Sequence, residues 1–129
     1  MLRSLGDPHL AAQYVHVGGT NGTGSTAALI ESVLLQSGQR TGLYTSPHLS
    51  DFAERIRIGG ESAGDQLLED CARAVLPLAE REDASFFESA TVLAFEAFRR
   101  SESETVVLEV GLGGRRVSTN VLDPRVTVI

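Results

Sequence analysis

The sequence contains no lysine and no tryptophan, and all 11 of its basic side chains are arginine. Chemistry that normally uses an ammonium group must therefore do without it or use a guanidinium group. The 17 acidic residues give a formal net charge of -6, which argues against the broad basic surface that binds nucleic acid. We therefore expect a small-molecule partner and no nucleic-acid partner.

Cysteine and long apolar runs are also scarce. Cys71 is the only cysteine, so an intramolecular disulfide and a zinc cluster are excluded. Residues 1–9 lack the apolar run of a signal peptide, and no stretch approaches the length of a transmembrane helix. These features predict a cytoplasmic protein with no membrane partner.

Length and composition favour one folded domain. The chain has 129 residues, of which 42% are apolar and 22% are charged. This is the balance of a globular protein with a hydrophobic core, and the length is too short for two domains of ordinary size. We expect a single domain that spans residues 1–129.

Apolar patterns predict alternating strands and helices. The predicted strands lie at 15–17, 41–45, 55–58, 106–110 and 126–129. The predicted helices are 27–36, a segment that begins at Asp65 and ends at Pro77 or at the charged run after it, and a segment with a capping box formed by Ser85 and Glu88. The apolar faces expected on these helices are Ala28, Leu29, Val33 and Leu34, then Leu67, Leu68, Cys71, Val75 and Leu76, then Ala90, Leu93, Ala94, Ala97 and Phe98.

This order of elements predicts an α/β fold, a parallel sheet with helices on both sides. In such sheets ligands bind at the carboxyl ends of the strands. The loops that begin at Gly18, Ser46 and Gly111 should therefore meet at one site.

A glycine-rich loop lies between the first strand and the first helix. It reads Gly-Thr-Asn-Gly-Thr-Gly-Ser-Thr over residues 19–26. Glycines let backbone N–H groups approach phosphate, and the loop leads into the positive end of a helix. The pattern predicts an anion site, and the alternative is a flexible glycine turn. Ser25 could face a metal ion or cap the helix.

Glu109 lies in an apolar strand, where an unpaired carboxylate would be costly. It therefore needs a cation or strong hydrogen-bond donors. A magnesium ion would satisfy it, and a salt bridge to an arginine is the structural alternative.

Several segments resemble folylpolyglutamate synthase and its relatives among the Mur ligases, and the resemblance extends from Leu5 to Val128. The glycine-rich loop resembles GTNGKGS, the segment 43–56 resembles YTSPHL followed by F.ERI, and 107–115 resembles VLEVGLGGR. The resemblance implies a P-loop-type parallel sheet with flanking helices, here an incomplete Mur-ligase central domain. Thr23 stands where the family has the lysine that neutralises the β- and γ-phosphates.

The resemblance also implies roles for individual residues. Phosphate of ATP would be bound by Gly19, Thr20, Asn21, Gly22, Thr23, Gly24, Ser25 and Thr26, and Mg²⁺ by Ser46 and Glu109. The pterin or folate would lie near Pro47, His48, Phe87 and Val117. Val117 replaces the family's aspartate and cannot accept a hydrogen bond. For His48 a local backbone hydrogen bond is the alternative role, and for the segment 86–88 it is helix capping.

The reaction implied by the resemblance is the phosphorylation of a folate or dihydropteroate carboxylate by ATP, followed by attack of L-glutamate on the acyl phosphate. It further implies a monomer, and no general base is identifiable.

Two alternative functions stay open at this point. One is a degenerate or truncated nucleotide-binding module without catalysis, which Thr23 and Val117 favour. The other is an unrelated P-loop phosphotransferase, which would not need the segments 45–49 and 109–115.

Overall fold

The computed structural model describes residues 1–18, 23–45, 55–109 and 126–128, which form one six-stranded sheet flanked by helices. The strands are β1 (Gln13–Val17), β2 (Thr41–Tyr44), β3 (Ile56–Ile58), β4 (Glu61–Ser62), β5 (Thr105–Glu109) and β6 (Val126–Val128). Their order is β4-β3-β2-β5-β1-β6. The strands β2, β5, β1 and β6 are parallel, whereas β3 and β4 pair antiparallel at one edge. The α/β class is confirmed, with a mixed rather than fully parallel sheet.

The described residues form three α-helices, α1 (Thr23–Gln36), α2 (Asp65–Arg81) and α3 (Phe86–Arg100), and two short 3₁₀ helices, Arg3–Leu5 and Pro8–Leu10, that precede β1. Successive strand residues point to opposite faces, and the buried residues divide accordingly. Val17, Leu43 and Val107 pack with α1, on what we call the α1 face. Tyr14, Tyr44, Val106 and Leu108 pack with residues of α2 and α3, on the α3 face. The prediction of helices on both sides of the sheet is therefore correct.

The apolar face predicted for α1 is largely wrong. Leu29 and Val33 are 66% and 60% exposed, and Ala28 is exposed as well. The helix buries Ala27 and Glu31 instead, with Ile30 and Leu34 partly buried against the sheet. The apolar pattern predicted the wrong face because a charged residue, Glu31, is buried on the face of α1 that packs against the sheet.

Glu31 is tolerated in this inner face because it is paired with Arg57 on β3. The guanidinium Nη2 lies 3.3 Å from Glu31 Oε1, and Nη2 also donates to the Gly60 carbonyl at 2.5 Å. Gly59 and Gly60 both have positive φ, 61° and 87°, as a two-residue hairpin turn of type I′ requires. The ion pair therefore attaches α1 to the β3–β4 hairpin.

The outer layer of the α3 face is formed by α2. This helix continues through Pro77 and ends at Arg81, so the charged run and not the proline marks its end. Cys71 and Val75 are buried as predicted, but Leu76 is 54% exposed, contrary to the prediction. Leu67 and Leu68 pack partly buried against the core.

Next to the sheet lies α3, whose residues 90–98 are all buried. The predicted face of Ala90, Leu93, Ala94, Ala97 and Phe98 is confirmed. At its start the Ser85 hydroxyl accepts a hydrogen bond from the Glu88 backbone N–H at 3.1 Å, so Ser85 is the N-cap. Near its end the buried Glu96 carboxylate is bonded by Arg99 and Arg100.

Within the described ranges, no helix combines the length and the apolar character needed to cross a membrane.

Candidate functional site

The carboxyl ends of three strands meet at one edge of the sheet. Val17, the last residue of β1, is paired in register with Glu109, the last residue of β5. Tyr44, at the end of β2, is paired with Leu108. Only residues 18–22 separate β1 from α1, so α1 must begin at this same edge, as the sequence predicted.

The start of α1 lies against Glu109. A Cβ atom built on Gly24 would be 3.4 Å from Glu109 Oε2, and Gly24 is the second residue of the helix. Any residue other than glycine would place carbon in this narrow space. Gly24 therefore leaves room for a group to approach the helix start and the carboxylate together.

Glu109 is half-buried and is the last residue of β5. The apolar pattern predicts a carboxylate inside the strand, whereas the structure places it at the strand end. At the strand end the Glu109 carboxylate is less desolvated than it would be inside the strand, so burial alone does not require a cation. The stronger argument for a cation comes from the neighbouring helix.

The electrostatics of this edge favour a divalent cation between two anionic groups. The start of a helix carries partial positive charge and unpaired N–H groups, which attract phosphate. A carboxylate already in this position would repel phosphate. A cation that contacts both would remove the repulsion, so Gly24 and Glu109 fit a metal-bound phosphate better than phosphate alone.

The other predicted phosphate residues are placed as follows. Thr23 begins α1, while Ser25 and Thr26 lie in its first turn, exposed and half-buried respectively. The remaining predicted residues, Gly19, Thr20, Asn21, Gly22, Ser46, Pro47, His48 and Val117, lie outside the described residues. The described parts contain no cluster of three or more metal-binding side chains.

Phe87, predicted to contact the substrate, lies at the start of α3 and is 56% exposed. Its ring is 6.2 Å from the Phe86 ring, centroid to centroid, at 75°. Because α3 ends at Arg100 and β5 begins at Thr105, the helix runs opposite to the strand, and its start lies at the carboxyl edge of the sheet. Phe87 is thus at the same edge as Glu109, but α3 covers the opposite face.

Sequence reasoning missed three polar residues at this edge. Tyr44, Arg55 and Thr91 are buried and close together on the α3 face. Burial raises the pKa of Tyr44, and hydrogen bonds with Thr91 and Arg55 oppose that rise. Tyr44 lies before the segment 46–54 and Arg55 after it. The sequence feature that could have indicated these residues is the polar character of positions at strand ends.

His16 on β1 is a further titratable group, and it is half-buried. Burial lowers the pKa of His16, and its Nε2 atom has no hydrogen-bond partner among the residues that the structure describes. Burial therefore favours the neutral form of this imidazole.

No protein-family model matches the chain. Two curated relatives are similar over nearly all of it. A probable bifunctional folylpolyglutamate synthase/dihydropteroate synthase of Haloferax volcanii is 42% identical over 129 residues, which are 96% of this chain and 15% of that protein. The folylpolyglutamate synthase of Lacticaseibacillus casei is 42% identical, over all of this chain and 32% of its own. This chain thus spans a third or less of the length of these relatives.

Solved structures agree with the sequence comparison. The folylpolyglutamate synthase of Thermotoga maritima superposes with a TM-score of 0.92 at 41% identity, over 99% of this chain and 32% of its own. The Mycobacterium tuberculosis enzyme, complexed with ADP and AMPPCP, has a TM-score of 0.89 at 33% identity, over 98% and 30%. A bifunctional folylpolyglutamate synthase/dihydrofolate synthase with Mn, AMPPNP and L-glutamate bound has a TM-score of 0.84 at 37% identity, over 98% and 31%. The resemblance predicted from the motifs is confirmed.

Proposed function

This chain is a homologue of the folylpolyglutamate synthase/dihydrofolate synthase proteins, and from that premise we propose that it forms the nucleotide-binding part of an ATP-dependent ligase. The ligase would join L-glutamate to folate or dihydropteroate. The main structural support is the position of the Glu109 carboxylate against the start of α1, beside Gly24. This arrangement suits a metal-bound phosphate at the edge where α/β sheets bind ligands.

The residues of the first helical turn would bind the phosphates. Backbone N–H groups at the start of α1 are free of helical partners by the geometry of any helix, and Gly24 allows close approach. Ser25 offers a hydroxyl in the same turn. Together with residues 19–22 they would form the phosphate loop, and Thr23 would contribute a neutral hydroxyl instead of an ammonium group.

Glu109 and Ser46 would hold Mg²⁺. A carboxylate and a hydroxyl are oxygen ligands of the kind that magnesium prefers. When bound, the ion would neutralise charge on the phosphates during phosphoryl transfer. Glu109 is positioned for this role because its strand pairs with β1 in register, which fixes it beside the loop that follows Val17.

The acceptor substrate would lie on the α3 face. Phe87 is exposed at the start of α3, where an aromatic ring could stack on a pterin. The segment with Pro47 and His48 follows β2 at the same edge, and Val117 belongs to the same predicted site.

A nucleotide-binding module without catalysis is the second candidate. Thr23 in place of lysine favours it, because one neutral hydrogen bond replaces a charge-assisted one. In that case the chain would bind Mg²⁺ and ATP but release no ADP when folate and glutamate are added. Folate- and glutamate-dependent ADP release would exclude the module.

Calorimetric titration with ATP tests the nucleotide site. We expect the chain to bind ATP more tightly with Mg²⁺ than with EDTA. Glu109→Gln should weaken binding in Mg²⁺ by about ten- to a hundredfold, the value of a charge-assisted interaction. In EDTA it should strengthen ATP binding, because the carboxylate no longer repels the phosphates. Glu61→Gln, an exposed change on β4, is the control. Equal affinities of the parent and Glu109→Gln in Mg²⁺ would contradict the proposal, and a loss of thermal stability without a change in metal dependence would favour a structural salt bridge.

A further inference from the structure

Two neighbouring aromatic rings are exposed at the start of α3. Phe86 and Phe87 are 64% and 56% exposed, although phenylalanine is usually among the buried residues. Successive helix positions point about 100° apart, so their side chains ordinarily diverge. Here the ring centroids are 6.2 Å apart and the ring planes are at 75°, which is an edge-to-face contact. The two rings therefore form a corner that a flat ligand can reach from solvent.

The Phe86 ring has a second neighbour, which is charged. The Arg55 guanidinium carbon lies 5.6 Å from the centre of this ring, within the range of a cation–π contact. Arg55 is only 9% exposed, so water competes little with the ring for its charge. Such a contact is stronger when the cation is buried than when it lies at an open surface. Phe86 therefore contacts a buried cation as well as a second ring.

Arg55 has a fixed position because its backbone is bonded to the end of β2. It immediately precedes β3, and its carbonyl accepts a hydrogen bond from the Thr45 backbone N–H at 2.9 Å. The adjacent residues Tyr44 and Ile56 are paired in the antiparallel register of β2 and β3. The start of α3 is fixed separately, by its Ser85 N-cap. The contact between Arg55 and the first ring of α3 therefore joins the β2–β3 pair to the helix.

This arrangement gives the two rings different roles toward a flat heterocycle. Aromatic faces attract cations, and the Arg55 cation already lies over one face of Phe86. A heterocycle that stacks on Phe87 would meet Phe86 as a side wall. The stacked ring would set the plane of the ligand, and the wall would set its lateral position. The cation keeps this wall in place.

We propose that Arg55 is a positioning residue for the pterin of the acceptor substrate: its cation holds the Phe86 ring beside Phe87, on which the pterin stacks. The inference rests on the proposed function, in which the acceptor lies at Phe87. Arg55 does not touch the ligand and acts through Phe86. The nucleotide site at Gly24 and Glu109 lies at the start of α1 instead, so ATP affinity should not depend on Arg55.

The test compares dihydropteroate binding by the parent, Arg55→Met and Phe86→Leu in fluorescence titrations. Arg55→Met keeps an unbranched side chain but removes the charge, and Phe86→Leu keeps apolar bulk but removes the ring. Each should weaken dihydropteroate binding about three- to tenfold, the usual value of a cation–π or edge-to-face contact. ATP affinity in Mg²⁺ should stay unchanged. The double variant should lose no more than Phe86→Leu, because Arg55 acts through the ring.

Two further variants separate positioning from a general loss of structure. Phe86→Tyr keeps the aromatic face and should restore the affinity that Phe86→Leu loses. Arg57→Met is the matched control on β3, two residues after Arg55, where the guanidinium pairs with the buried Glu31 at 3.3 Å. It should lower the free energy of unfolding and leave dihydropteroate affinity unchanged.

The outcomes distinguish this inference from the proposed function. Parental dihydropteroate affinity in Arg55→Met, or an equal loss for dihydropteroate and ATP, would overturn the positioning role while the parent still binds both ligands. A parent that binds ATP but no dihydropteroate would overturn the acceptor part of the proposed function and this inference together.

The Phe86 variants decide the question if Arg55→Met does not fold. The Arg55 Nε proton should show a ring-current shift in NMR spectra of the parent and of Phe86→Tyr, and this shift should be lost in Phe86→Leu. Equal dihydropteroate affinities of Phe86→Tyr and Phe86→Leu, or a parent without the shift, would overturn the inference.

Discussion

The Glu109 Oε2 atom lies 3.4 Å from the point that a Cβ atom on Gly24 would occupy. This distance is an ordinary van der Waals contact, so a methyl group can be accommodated in the protein without ligand. It would nevertheless fill the space in which we expect a metal-bound phosphate. A methyl group at position 24 should therefore be compatible with folding but should interfere with ligand binding.

Gly24→Ala should leave the protein equally stable or up to about 1 kcal/mol more stable, because alanine is favoured over glycine in helices. ATP affinity in Mg²⁺ should fall about five- to a hundredfold, the usual range for overpacking a close contact. Calorimetry and denaturant unfolding measure the two effects. Ala28→Gly, at an exposed position of the same helix, should show the opposite pattern, lower stability with unchanged affinity. If Gly24→Ala binds ATP as tightly as the parent in Mg²⁺, no ligand occupies this space.

Thr23→Lys should strengthen ATP binding by about one to two orders of magnitude, because a charge-assisted hydrogen bond contributes about 1.5 to 3 kcal/mol. The gain should shrink as salt is raised, since it is partly Coulombic. Titration at low and high salt measures it. Gln36→Lys adds the same charge at the other end of α1 and should change affinity little. Equal affinities of Thr23→Lys and the parent at low salt would mean that the loop does not bind phosphate.

Glu96→Gln should lower the free energy of unfolding by about 1 to 3 kcal/mol at pH 7, because the buried carboxylate receives bonds from two partly exposed arginines. Burial raises the pKa of Glu96, but Arg99 and Arg100 together outweigh burial, and the pKa is lowered. A lowered folded-state pKa gives stability that is present above the unfolded value of about 4.3 and is lost as the pH falls through the folded value. The difference between parent and variant should therefore narrow below about pH 4.3.

Denaturant unfolding at pH 7, 5 and 3 measures this difference. Glu69→Gln is the control, because Glu69 forms an exposed ion pair with Arg73 at 2.9 Å and should contribute no more than about 0.5 kcal/mol. A Glu96→Gln effect that does not depend on pH would contradict the linkage argument.

Gly42→Ala should destabilise the protein by about 1 to 3 kcal/mol through overpacking. A Cβ atom at this position would be 2.5 Å from Phe98 Cδ1, and both residues are buried between β2 and α3. Gly18→Ala is the control, since its Cβ would meet no described atom within 4 Å. Equal unfolding midpoints for the two variants would show that α3 can move away from β2 without cost.

Local patterns predicted the fold well where a strand or helix has a simple apolar pattern. The buried runs of β2 and β5 and the capped helix α3 were correct because burial and pattern agree there. The inner face of α1 was wrong because Glu31 is buried, and its partner Arg57 lies 26 residues away in sequence. No local pattern reports such a long-range ion pair.

The site was also predicted only in part, because some of its residues come together from distant parts of the sequence. The sequence indicated that the loops beginning at Gly18, Ser46 and Gly111 would meet at one site, because the carboxyl ends of parallel strands share an edge. It placed Glu109 inside its strand and did not indicate that Gly24 lies against this carboxylate. The buried polar residues where β2 ends, Tyr44, Arg55 and Thr91, were not predicted to lie together. Tyr44 and Thr91 are 47 positions apart in the printed sequence, and a tyrosine at a strand end is equally consistent with simple burial.

The order of strands in the sheet has a consequence for folding. β1 and β2 are neighbours in sequence but not in space, because β5 lies between them and pairs with both. The central strand thus comes from residues 105–109, long after the two strands that it joins. During synthesis β2 can pair with β3, but β1 and β2 have no parallel partner until β5 leaves the ribosome, so the parallel part of the sheet cannot form earlier. Such non-local pairing slows folding, and the apolar residues of both early strands stay open to chaperones or aggregation until β5 inserts.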